Sequence, residues 1–95
     1  MTRKRSAVEA ALQKKGFEKA EGDHHYFYLL DPEGRRTGVF TKTSHSPKHK
    51  DLGASLLGEM AKQCHLNSRE FLRLVDCTLD EAGYRTKVRE AGIAC

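Results

Sequence analysis

No stretch of the 95-residue chain is apolar for long enough to cross a bilayer, which excludes a spanning helix. The basic start Met1-Thr2-Arg3-Lys4-Arg5 is not followed by an apolar run, so no secretory signal is read there and a cytoplasmic protein is expected. Cysteine is scarce and odd in number: Cys64, Cys77 and Cys95 are widely spaced, with no Cys-x-x-Cys. A disulfide framework is therefore not expected; Cys64 and Cys77 read as half-buried free thiols and Cys95 as a loose end. His45, His49, Cys64 and His65 match no standard zinc spacing, and Pro47 spoils a helical pairing of the first two, so neither metal nor cofactor is expected. Repeats and low-complexity tracts are also missing.

What the chain does have is charge, unevenly placed. Hydrophobic residues make up 38% and charged residues 32%, enough apolar material to fold as one small domain spanning 1–95. Residues 1–50 carry eleven Lys and Arg against six Asp and Glu, whereas residues 51–95 carry six against seven. The basic half also holds most of the histidines and aromatics. A polyanion is the partner such asymmetry favours, nucleic acid ahead of a membrane surface.

Local patterns order the elements. Ser6, with Glu9 three residues on, has the spacing of a capping box for a helix from Ala7 to Lys15 with Val8, Ala11 and Leu12 inside. Gly16 stops it. Phe17 to Ala20 reads as a strand, His24 to Leu30 as a second, dense in aromatics, and Arg36 to Lys42 as a third. Asp31-Pro32-Glu33-Gly34 is a strong turn between the last two. After a polar loop, a helix is expected from Asp51, with Leu52, Leu56, Leu57, Met60, Ala61 and Cys64 on one face. Asn67 with Glu70, and Thr78 with Glu81, would cap two more helices. Phe71, Leu72 and Val75 form the stripe of the first, and Tyr84, Val88 and Ala91 that of the second. The expected fold is α+β: a three-stranded antiparallel sheet with helices packed on one face, in the order α-β-β-β-α, plus two short C-terminal helices.

Chemistry concentrates at Gly22-Asp23-His24-His25-Tyr26-Phe27-Tyr28. Strand alternation separates its residues: His25, Phe27 and Leu29 share one face, and His24, Tyr26, Tyr28 and Leu30 the other. The Phe27–Leu29 face is the better core, which leaves His24, Tyr26 and Tyr28 towards a ligand. An imidazole with an unperturbed pKa near about 6.5 can take or give a proton near neutrality. RNA brings its own nucleophile, the 2′-hydroxyl, so a base and cations suffice without metal. Arg35, Arg36, Lys42 and Lys48 are the candidate phosphate contacts, with His45 on the same surface and Tyr26 or Tyr28 stacking a base.

The run Leu12-Gln13-Lys14-Lys15-Gly16-Phe17, then Gly22-Asp23-His24-His25-Tyr26-Phe27-Tyr28, then Asp31-Pro32-Glu33-Gly34-Arg35-Arg36, resembles the HicA toxin family. The resemblance covers residues 7–65 and leaves 66–95 as a C-terminal helical extension. It implies a fold similar to the double-stranded RNA-binding domain, mRNA interferase activity, and neutralisation by a HicB-like antitoxin. It also implies that His24, which follows the position of the family's Gly-Ser pair, is the catalytic residue. The Ser of that pair is Asp23 here, a carboxylate that would tune or orient His24 and would also repel phosphate. The alternative to an endoribonuclease is a non-catalytic RNA-binding or regulatory module of the same fold; a third reading is a protein-interaction domain whose basic face is incidental.

Overall fold

The computed structural model describes residues 2–43 and 50–93. The chain opens with a two-residue strand, β1 (Arg3–Lys4), and passes directly into α1 (Arg5–Lys14). Ser6 is therefore not the cap. Lys4 stands at the N-cap in extended conformation without a side-chain cap, and the Arg5 N–H is satisfied by the Lys50 carbonyl at 2.7 Å. That bond comes from pairing between β1 and β5 (Asp51–Leu52), where Arg3 lies opposite Leu52 and Lys4 opposite Asp51. The ribbon starts the helix early, puts Ser6 in its first turn and releases Glu9 for other work. Val8, Ala11 and Leu12 are the buried stripe, as their spacing requires.

Gly16 ends α1 with φ +97, a conformation a side chain resists. A Cβ there would also run into the Arg85 guanidinium. The sheet follows, with β2 (Phe17–Glu21), β3 (His25–Leu30) and β4 (Arg36–Thr43) antiparallel in the order β2-β3-β4. β3 begins one residue later than its aromatic run suggests. His24 belongs to the bend before it, closed by the Gly22 N–H on the His24 carbonyl at 3.1 Å. The β3–β4 turn forms as its sequence demands. Asp31 accepts from the Glu33 and Arg35 N–H groups at 2.9 Å each, and Gly34 has φ +82.

The α2 helix (Ala54–Gln63) starts three residues after the expected Asp51, because Asp51 and Leu52 are taken by β5. Leu52 is buried through that ribbon. Leu56 is 49% exposed, since Leu57, Met60, Ala61 and Cys64 already fill the inner stripe and Leu56 lies about 100° from Leu57 around the helix axis. The α3 helix (Ser68–Val75) carries the expected capping box of Asn67 and Glu70, at 2.8 and 3.1 Å. Its inner residues are Phe71, Leu74 and Val75, with Leu74 in the place expected for Leu72. The α4 helix (Glu81–Glu90) is capped by Asp80, which accepts from the Gly83 N–H, and not by Thr78. Thr78 is occupied one element earlier, where its N–H and hydroxyl both donate to the Arg73 carbonyl.

The sheet is covered on one side. α1 packs on β2 and α2 on β4, while α3 touches both helices. Phe27, Leu29 and Val39 face this core and are fully buried. The two last helices share the same core: Tyr84 stacks on Phe17 at 5.8 Å between ring centroids and donates its hydroxyl to the Cys64 carbonyl. Arg85 reaches the Leu30 carbonyl at 2.7 Å. Neither cysteine is half-buried. Cys64 lies inside, its thiol pushed up to about 12 by burial, and Cys77 is exposed. Among the described residues no helix is long and apolar enough to cross a membrane.

Inside, at the end of the sheet nearest the Gly22 bend, Glu9 gathers three partners. Its Oε2 accepts from the Thr43 hydroxyl and meets His25 Nδ1 at 2.9 Å, and Oε1 lies 3.8 Å from the Lys19 ammonium. Burial pushes this carboxyl up, but the Thr43, His25 and Lys19 contacts outweigh it and the net shift is downward. A carboxyl depressed on folding stabilises above its unfolded pKa and loses that contribution as pH falls through the folded value. The stability margin of wild type over Glu9→Gln, followed by urea unfolding, is thus expected to be full above pH about 4.5 and to vanish on further acidification. A margin independent of pH would contradict the assignment.

Candidate functional site

The open face of the sheet is built by alternation. On β3, Phe27 and Leu29 point in, so Tyr26 and Tyr28 point out; on β4, Val39, Thr41 and Thr43 point in, so Phe40 and Lys42 point out. Pairing sets Tyr28 opposite Phe40 and Tyr26 opposite Lys42. The rings form a row. Phe40 and Tyr28 have centroids 5.8 Å apart and planes 29° apart; Tyr28 and Tyr26 are at 6.3 Å and 22°. His24 closes the row edge-on to Tyr26 at 6.1 Å. Phe40 is 44% exposed, an unusual position for a large apolar ring.

His24 is held from one side. Tyr26 donates its hydroxyl to Asp23 Oδ1 at 2.9 Å, and Asp23 Oδ2 lies 3.5 Å from His24 Nδ1. That separation is an ion-pair distance and too long for a good hydrogen bond. Nδ1 is shielded from solvent, with no hydrogen-bond partner among the described residues, although the side chain as a whole is 38% exposed. The accessible part of the ring is therefore away from Nδ1. The Tyr26 hydroxyl, and after it His24, hold the Asp23 carboxyl below its ordinary range, and the same bond raises the Tyr26 phenol. His25 faces the other way, against Glu9.

The candidate phosphate contacts divide. Lys42 is exposed on the open face, opposite Tyr26 and next in register to the His24 end. Arg36 pairs with Leu30 at the far end of β3 from His24, and its side chain reaches back to the middle of the strand. There its guanidinium lies 4.1 Å over the Tyr28 ring and its Nε bonds Glu18 at 2.9 Å. Arg35 sits at the hairpin tip, paired with Asp31 and Glu33. His45 and Lys48 lie outside the described residues, as do Pro47 and His49. Among the described residues no group of three His, Cys, Asp or Glu side chains is placed to hold a metal ion.

Reading along the chain missed Phe40 as a surface ring and the Tyr26–Asp23 bond that fixes the bend. The signal for Phe40 was its parity with Lys42 on the third strand. Among the described residues the site is an open face of the sheet, and a depression of about 440 Å³ lined by Lys4, Arg5, Ser6, Glu9, Lys50 and Asp51 lies apart from it, beside the start of α1. None of the curated proteins and none of the solved structures matches the chain. A family model does, that of the HicA toxin of bacterial toxin-antitoxin systems, over residues 5–66. The match takes in α1, the three-stranded sheet, the His24 bend, β5 and α2, and stops before α3. Covering well over half of the sequence and all of the open face, it shows that the chain belongs to the HicA toxins.

Proposed function

We propose that this toxin is an endoribonuclease that cuts mRNA in the cytoplasm, with His24 as general acid and base, and that a HicB-like antitoxin protein silences it. The observation that carries this reading is the asymmetric hold on His24. Nδ1 is turned inward beside a carboxylate that Tyr26 pins in place, and the rest of the ring faces the open side. An imidazole so arranged takes a proton at Nε2, and the adjacent Asp23 fixes the orientation of the ring.

The cut follows from RNA's own chemistry. Nε2 accepts the 2′-hydroxyl proton as the oxygen attacks the neighbouring phosphorus. The bond to the 5′-oxygen breaks, and the imidazolium returns the proton to that leaving oxygen. The products are a 2′,3′-cyclic phosphate and a 5′-hydroxyl, with no external nucleophile. Lys42 neutralises the phosphate nearest His24, and His45 and Lys48, which follow it in the sequence, are the further candidates for phosphate contact. Arg35 and Arg36 serve phosphates further along the strand.

The test is purified chain incubated with mRNA in the presence of a chelator. Cleavage with cyclic-phosphate ends is expected, as is growth arrest on expression, relieved by the antitoxin. One observation favours a second reading, a non-catalytic RNA-binding module: the Asp23 carboxylate lies where it repels phosphate. Steeply salt-dependent binding without any cleavage would select it.

A further inference from the structure

We propose that Tyr26 is a positioning residue for the cut: its hydroxyl holds the Asp23 carboxylate against Nδ1 of His24, which keeps the proton of the neutral ring on Nδ1 and the lone pair on Nε2. This rests on the reading of His24 as the cutting residue for its use, but not for the state it assigns to the ring.

The bend that carries Asp23 and His24 is tied to the sheet through the Tyr26 side chain. Tyr26 is fixed in β3 between Ala20 and Lys42, and its ring stacks on Tyr28 at 6.3 Å. From that rigid mount the ring folds back along the bend. A Cβ on Gly22 would meet it at 3.7 Å, His24 meets it edge-on at 6.1 Å, and the hydroxyl donates to Asp23 Oδ1 at 2.9 Å. The Asp23 side chain is 79% exposed, so without this tether it is free to turn out into solvent. The bond holds at any pH where an imidazole can work. It draws the Asp23 carboxyl below its ordinary range and lifts the Tyr26 phenol above its own, so around neutrality the acceptor is ionised and the donor protonated.

The second carboxylate oxygen decides the tautomer. Asp23 Oδ2 lies 3.5 Å from His24 Nδ1, a nitrogen shielded from solvent and without a hydrogen-bond partner among the described residues. A lone pair on Nδ1 would face the anionic oxygen directly, with no water to separate them. A proton on Nδ1 turns the same contact into an attraction. The neutral ring accordingly carries its proton on Nδ1 and offers the lone pair of Nε2, the form that accepts the 2′-hydroxyl proton. The Asp23 charge then lies against Nδ1, on the shielded side of the ring. Removing the Tyr26 hydroxyl releases Asp23, and both tautomers become populated.

Steady-state cleavage of an RNA oligonucleotide by the full chain reads one consequence, and the ring nitrogens read the other. Tyr26→Phe keeps the ring and its stack on Tyr28; it should lower kcat by about tenfold with KM changed by less than about twofold. Asp23→Asn places an amide that donates to Nδ1 and so favours the opposite tautomer; it should lower kcat by about a hundredfold. The double variant should be no slower than Asp23→Asn alone, because the hydroxyl acts only through the carboxylate. Nitrogen NMR of isotopically labelled full-length protein, at a pH where the ring is neutral, follows the His24 signals, identified by their loss in His24→Ala. They should show the Nδ1–H form in wild type and a mixture of tautomers in Tyr26→Phe. An unchanged kcat in Tyr26→Phe, a loss that falls on KM, or additive losses in the double variant overturns the proposal. So does a wild-type ring protonated mainly on Nε2, or a Tyr26→Phe ring still fixed in the Nδ1–H form. Should wild type fail to cut RNA while the nitrogen signals behave as stated, the nuclease reading falls and the hold of Tyr26 on the His24 ring stands.

Discussion

His24→Ala is expected to slow RNA cleavage by about 10²- to 10⁴-fold, the usual contribution of a positioned acid–base group, with the folded state intact. The fold should tolerate it because His24 lies in a bend, outside the β3 ladder, and its Nδ1 has no hydrogen-bond partner among the described residues. The affinity of the variant for RNA should change little, since its loss belongs to the transition state and not to the grip on the strand. A rate assay and an affinity measurement on one preparation separate the two. His25→Ala is the instructive neighbour. Its ring is bonded to Glu9 under the sheet, so that replacement should lower stability and leave the rate per folded molecule largely intact. Should the two replacements exchange effects, the assignment of faces is wrong.

Tyr84→Ala is expected to cost about 3–5 kcal/mol of folding stability, as loss of a large buried ring does elsewhere. For a domain whose whole margin is about 5–15 kcal/mol, that populates the unfolded state at ordinary temperatures. Tyr84 is fully buried, stacks on Phe17 and donates to the Cys64 carbonyl, so it joins α4 to β2 and to the end of α2. Tyr84→Phe keeps the ring and removes only the donor, for a cost of about 1 kcal/mol. Urea unfolding of both variants distinguishes ring from hydroxyl. Near-identical costs would mean that the hydroxyl, and not the stack, secures the helix.

Features written in short stretches were legible in the sequence. The Asp31–Gly34 turn, the Asn67–Glu70 box, the Gly16 stop and the split of Phe27 from Tyr26 and Tyr28 each depend on residues a few positions apart. What escaped depended on distant partners. Two residues at Arg3–Lys4 become a strand only because Asp51–Leu52 arrive beside them, and that pairing moved the starts of both α1 and α2. Thr78 and Asp80 compete for one cap, and the choice turns on the Arg73 carbonyl. In the site, Arg35 and Arg36 are near His24 in number but at the opposite end of the strand in space, because β3 is extended and not coiled. Asp23 was noticed as a departure, yet its bond to Tyr26 depends on how the bend folds back over the first outward ring.

The Tyr84–Phe17 stack also sets a timetable. Phe17 leaves the ribosome early, and the ring that covers it is made 67 residues later by chain position, with Val88 behind it. Domains assemble as units once their contributors have emerged. The sheet that carries His24 therefore lacks its finished support until α4 has been made, and the open face acquires its final shape only when that helix docks.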